Sequence, residues 1–106
     1  MAIEFTPDHF EHREQAMSEI EAAGLKALEA DLTEVNLNPV PHSDDYGVSI
    51  YILDGIMNLH EPNAGRVHRL ERGSKAIVPA QTLHAESCPG PFKALFGLPA
   101  EMAQAN

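Results

Sequence analysis

Apolar residues recur along this chain at two different periods, and the change falls at Gly24. Before it, Phe10, Met17 and Ile20 recur at roughly helical spacing, and Ala22 and Ala23 continue the face. Glu11, Glu14, Glu19 and Glu21 fall mainly off it. Thr6 can cap, Pro7 suits a first helical turn, and Asp8 meets the positive end of the dipole. The pattern predicts a helix over 7–23, its apolar stripe laid on the rest of the domain, with Gly24 as its stop. His9 and His12 fall in the first half of that helix and read as a solvated pair.

After Gly24 the period becomes two. Leu28, Ala30 and Leu32 alternate, then Val35 and Leu37 alternate in the opposite phase, which predicts strands with a turn or bulge near Thr33-Glu34. A helix continued through Leu25, Leu28 and Leu32 would carry Gly24 inside it, at about 1 kcal/mol relative to Ala. Pro39 and Pro41 mark a strand end or an edge. Further strands are predicted over 48–53, 56–60, 66–70, 76–78, 83–87 and 92–98, separated by Gly, Pro, Asn and Asp turns. Along the first of these, Val48, Ile50 and Ile52 face inward and Tyr51 faces outward, under the helix or in a subunit contact. Many short strands joined by turns point to a closed barrel or jelly roll. His60 and His68, on the two arms of one hairpin, are expected as an exposed cross-strand pair.

Composition narrows the function classes. With 106 residues, one domain is expected, and 43% hydrophobic residues suffice for a core. No apolar run reaches the roughly 20 residues of a membrane span, and the first residues lack a signal pattern. The formal charge of −9, from seven basic against sixteen acidic residues, argues against nucleic acid and against anionic membranes as partners. The lone cysteine, Cys88, allows no internal disulfide, and a cytoplasmic protein is expected.

The chemistry concentrates in two segments. Residues two apart on a strand share a face, so His42 and Asp44 can point together, as can His84, Glu86 and Cys88. A barrel can join those faces at its mouth. His42, Asp44, His84 and Glu86 would then offer two imidazoles and one or two carboxylates, a set suited to non-haem Fe(II) or to Zn. The alternative is a metal-free pocket with hydrogen-bonded interior histidines, in which Asp44 and Asp45 are turn residues. Tyr46, Val48, Ile50, Ile52 and Cys88 are the expected pocket lining.

With these residues in view, the chain resembles the cupin superfamily of small β-barrels. His42-Ser43-Asp44, Val48 and Tyr51-Ile52-Leu53-Asp54-Gly55 fall in register with the first cupin motif, and Gly73, Pro79, Gln81, His84 and Cys88 with the second. The match covers roughly residues 41–98. The resemblance implies a mostly β, double-stranded β-helix (a jelly-roll barrel) preceded by one N-terminal α-helix. It divides the chain into a helical extension at 1–24, the barrel at 25–98 and a tail at 99–106. The family's usual metal set is three His and one Glu. Here Asp44 stands at the second His and Val48 at the Glu, while Gln81 and Cys88 also depart from the second motif.

Three function classes follow. One is a metal-dependent enzyme holding Fe, Mn, Ni or Zn, for which the resemblance implies oxygenase, isomerase or hydrolase chemistry without choosing among them. No catalytic residue is assigned, beyond Glu86 as ligand or general base. The second is a metal-free small-molecule binding module. The third is a structural or interaction protein, since the resemblance implies a homodimer.

Overall fold

The computed structural model describes residues 2–101. It contains strands β1 (Glu4–Thr6), β2 (Lys26–Leu32), β3 (Val48–Gly55), β4 (Met57–Glu61), β5 (Arg66–Leu70), β6 (Lys75–Val78), β7 (Ala85–Ser87) and β8 (Phe92–Leu98). An α-helix, α1, spans Arg13–Ala22. All pairing is antiparallel. One sheet has the order β1-β6-β3-β8-β2 and the other β5-β4-β7. The two sheets enclose a shared core without closing into a continuous barrel. β2 and β7 are therefore free edges, one on each sheet.

Period two on β3 explains the layering. Ile50 and Ile52 point between the sheets and meet Met57, Leu59, Leu70 and Phe92. Tyr51 points the other way, into a second cluster with Phe10, Ala16, Ile20 and Leu95. Each large side chain so buried contributes roughly 1.5–3 kcal/mol. At the end of β3 the pairing with β8 shifts between Ile52 and Asp54, and Gly55 takes φ 78°. A Cβ at Gly55 would stand 2.3 Å from the Pro91 carbonyl oxygen, so only glycine lets the two backbones approach here.

The N-terminal segment differs from expectation. Residues Glu4–Thr6 form a strand paired with β6, so Thr6 is not a helix cap. Asp8 has φ 50°, which no continuing helix tolerates, and the helix begins only after His12. The His9 and Phe10 amides instead both donate to the Gly73 carbonyl, at 2.8 and 3.2 Å. Phe10 thus reaches the second cluster from a loop, and the spacing from Phe10 to Met17 resembled a helix only by coincidence. The Gln15 side-chain oxygen closes the true helix start by accepting from the Glu11 and His12 amides.

A polar clamp holds α1 on the sheet. Glu19 accepts hydrogen bonds from Lys75 at 2.8 Å, from the Tyr51 hydroxyl at 3.0 Å and from His9 at 2.7 Å. Burial alone would raise the Glu19 pKa, but the bonds from Lys75, His9 and Tyr51 outweigh it and hold the carboxyl below its ordinary range. Burial works against the Lys75 ammonium too, yet Glu19 and Tyr51 keep its pKa above the ordinary value. Burial, ahead of its neighbours, pushes the Tyr51 phenol up.

The hairpin β4–β5 is paired one position away from the expected facing. Leu59 stands opposite His68, and His60 opposite Val67. A one-residue shift reverses the face, so the two histidines do not form an exposed pair. His68 donates to buried Glu61 at 2.9 Å, and the other Glu61 oxygen accepts the Ile3 amide at 3.1 Å. Burial works against the Glu61 carboxylate, but those bonds bring its pKa below the ordinary range. His60 instead hydrogen-bonds Ser87 at 2.7 Å.

Residues 33–47 form no regular strand, contrary to the alternation of Val35 and Leu37. They run past the edge of β7 and meet the residues on either side of it at two isolated bridges, Asn36 with Cys88 and His42 with His84. Between the bridges, Pro39 and Pro41 have no amide hydrogens to give, and the ladder cannot form. Residues 102–106 of the expected tail lie outside the described residues.

Candidate functional site

The second bridge sets the site. The His42 amide donates to the His84 carbonyl at 2.8 Å, and the His84 amide returns the bond at 2.9 Å. Directly opposed residues on antiparallel strands place their side chains side by side, and the two imidazole centroids lie 4.3 Å apart. Each ring is then oriented by a carbonyl of its own segment. His84 Nδ1 lies 2.9 Å from the Thr82 carbonyl, and His42 Nδ1 lies 3.2 Å from the Val40 carbonyl. A carbonyl only accepts, so Nδ1 presents a proton to it on both rings, and in a neutral imidazole so placed Nε2 is the acceptor.

Carboxylates gather at those Nε2 atoms. Asp44 Oδ2 is 3.9 Å from His84 Nε2, and Glu86 Oε1 is 3.7 Å from the same atom and 4.0 Å from His42 Nε2. One donor atom each from His42, Asp44 and His84 falls within 4.8 Å of the others. The Gln81 amide donates to the Asp44 carbonyl at 2.7 Å and anchors that loop. His84 is almost fully buried, whereas His42, Asp44 and Glu86 keep partial exposure, so the cluster opens to solvent on one side.

Donor chemistry suits a divalent ion. Bonds of about 2.1 Å in tetrahedral array put donors about 3.4 Å apart, so the side chains would draw in from the 3.7–4.0 Å imidazole–carboxylate distances, and from a spread of up to 4.8 Å across His42, Asp44 and His84, to close on it. A protonated Nδ1 held by a carbonyl is the usual outer support of a metal-binding histidine.

Beside the cluster is a cavity of about 600 Å³. It lies where the free edges β2 and β7 leave the sheets apart, under the segment Thr33–Asn36. Leu32, Met57, Cys88, Phe92 and Phe96 supply its apolar lining. Glu86 belongs to both the cavity and the histidine cluster. Of the five residues expected to line a pocket, Cys88 does so here, its thiol directed at the Glu34 carbonyl 3.4 Å away. Ile50 and Ile52 are packed solid in the inter-sheet core, Val48 packs against that core, and Tyr46 is half-buried in the 33–47 segment. Met57, Phe92 and Phe96 went unrecognised as lining because period two marks a residue as inward-facing but not whether the space before it is filled.

No family model matches the chain, and no curated protein matches it. Solved structures do. A DUF861 family protein from Thermotoga maritima superposes with TM-score 0.62 at 15% identity, over 92% of this chain and 99% of that one. An RmlC-like cupin from Shewanella frigidimarina gives TM-score 0.59 at 19% identity, over 72% of this chain and 67% of that one. A cupin superfamily protein from Desulfitobacterium hafniense gives 0.53 at 20% identity, over 70% and 78%. At such identities the likeness defines the fold: this chain has the cupin fold, with its two sheets open along one side. Among the described residues, no helix is long and apolar enough to cross a membrane.

Proposed function

We propose that this small cupin binds one divalent metal ion through His42, Asp44 and His84, with Glu86 as a fourth donor, and holds a small molecule in the adjoining cavity. The observation that carries the reading is the matched pair of imidazoles. Both have Nδ1 tied to a carbonyl two residues back, and both turn Nε2 toward one carboxylate, that of Glu86. Two nitrogen and two oxygen donors suit Fe, Mn, Ni or Zn. When bound, such an ion supplies Lewis-acid polarisation of a neighbouring carbonyl or water. The chain's own contribution is orientation: the bridge fixes the rings, Gln81 fixes the Asp44 loop, and the apolar wall excludes water from one side of Glu86.

Elemental analysis of tag-free protein, prepared without chelators, tests this. The expected result is about one equivalent of metal per chain, lost in a His42→Ala, His84→Ala double variant that keeps its fold. A wild-type chain that holds no metal and takes none up on titration would leave the histidines as lining of a metal-free pocket.

A homodimer is the second reading, and one observation favours it. Val35, Leu37 and Val40 are 57, 67 and 74% exposed on the segment that runs along the β7 edge. A second copy would cover them. A strictly monomeric species in sedimentation at micromolar concentration would count against it.

A further inference from the structure

The charges around the cavity are of one sign. Asp31, Glu34 and Glu86 line it, and no lysine or arginine does so among the described residues. Asp31 is partly balanced by Lys93, whose Nζ lies 3.9 Å from its carboxylate. Glu34, an exposed residue, and Glu86 are the other acidic residues of a lining that also holds Leu32, Met57, Phe92 and Phe96. An acid or phosphate entering here would meet acidic residues in the lining, with no cation to receive it. A protonated amine would meet complementary charge.

We propose that the cavity takes a small molecule with an apolar body and a protonated amine, the body against Met57, Phe92 and Phe96 and the ammonium between Glu34 and Glu86. This rests on the reading of the cavity as a ligand site and adds its chemical class. A volume of about 600 Å³ accommodates a single ring with a short aminoalkyl chain. A divalent ion on the histidines does not reverse the preference. Asp44 and Glu86 together neutralise its two charges, and Glu34 keeps its own.

The test compares 2-phenylethylamine, 2-phenylethanol and phenylacetate, which share a ring and differ in charge. Each is titrated by NMR into metal-stripped and into Zn²⁺-saturated protein, with ethylamine as a control lacking the ring. The amine should bind at least about tenfold more tightly than the acid, with the alcohol between them, in both forms of the protein. Its shifts should centre on Glu34, Met57 and Phe96, and ethylamine should bind at least about tenfold more weakly. Glu34→Gln should reduce the preference for amine over acid to under about threefold while leaving the alcohol unchanged.

Tighter binding of phenylacetate would overturn the amine class and leave the cavity as a ligand site. Amine shifts scattered over the acidic surface would overturn the class as well. If none of the three ring compounds binds while Zn²⁺ still does, the proposal falls together with the ligand part of the proposed function, and the metal part stands.

Discussion

His42 and His84 bind each other twice through the backbone, at 2.8 and 2.9 Å, where the 33–47 segment passes the residues that lead into β7. The imidazoles are thus brought together by main-chain bonds that do not depend on the side chains. His42→Ala should leave the bridge intact. Its melting temperature should stay within about 3 °C of wild type, while metal affinity falls at least about tenfold. Calorimetric metal titration beside a thermal melt separates the two effects. A large loss of stability with unchanged affinity would mean that the ring packs and does not ligate.

The Glu19 clamp predicts a pH profile. The Glu19 carboxyl titrates below its ordinary range, so its contribution is complete above the unfolded value and disappears as pH falls through the lower folded value. Lys75 is raised, so its contribution is complete below the ordinary lysine value and is lost as pH rises through the higher folded one. Stability should therefore fall at both the acid and the alkaline end. Glu19→Gln should flatten both limbs and cost about 1 kcal/mol at neutral pH, given the partial exposure of the group. Melts of both proteins from about pH 3 to 11 would check this, and parallel profiles would refute it.

Glu61 ties β1 to the hairpin by accepting the Ile3 amide and the His68 ring. Its lowered pKa makes this contribution present above the ordinary carboxylate range and lost on acidification. Glu61→Ala would leave a buried amide and an imidazole without a partner, at a cost of roughly 2–4 kcal/mol. Hydrogen exchange should show the Ile3 amide losing protection first, before any amide of β3.

Gly55→Ala should be among the most damaging small substitutions. The new Cβ meets the Pro91 oxygen at 2.3 Å and Phe92 Cα at 2.8 Å, in a backbone conformation with φ 78°. On the order of 2–3 kcal/mol should be lost, read as a shift of the urea midpoint. Gly65→Ala also sits at positive φ, 64°, but has open space around it, so it should cost distinctly less.

Much of the fold was legible because the signals were local. Turn residues and period two placed β3, β5 and β8 well, and the inward facing of Ile50 and Ile52 follows from alternation. Tyr51 was expected to face outward, under the helix or in a subunit contact, and it lies under α1. The short β1 escaped because three residues carry too little pattern, and its pairing with β6 spans most of the chain. The facing of His60 and His68 depended on a single residue of register in the hairpin.

The sequence alone offered which side chains would share a face if extended, His42 with Asp44 and His84 with Glu86 and Cys88, although His42 and Asp44 lie in a segment that forms no regular strand. Backbone geometry imposes that alternation wherever a strand forms, so no distant contact is needed to read it. Only the tertiary structure decided that His42 pairs with His84, a contact between residues far apart in the chain. It also decided that the open space lies at the edges of β2 and β7, away from Ile50 and Ile52. Cavities are what packing leaves over once every element has found its neighbours, and no single segment encodes that remainder.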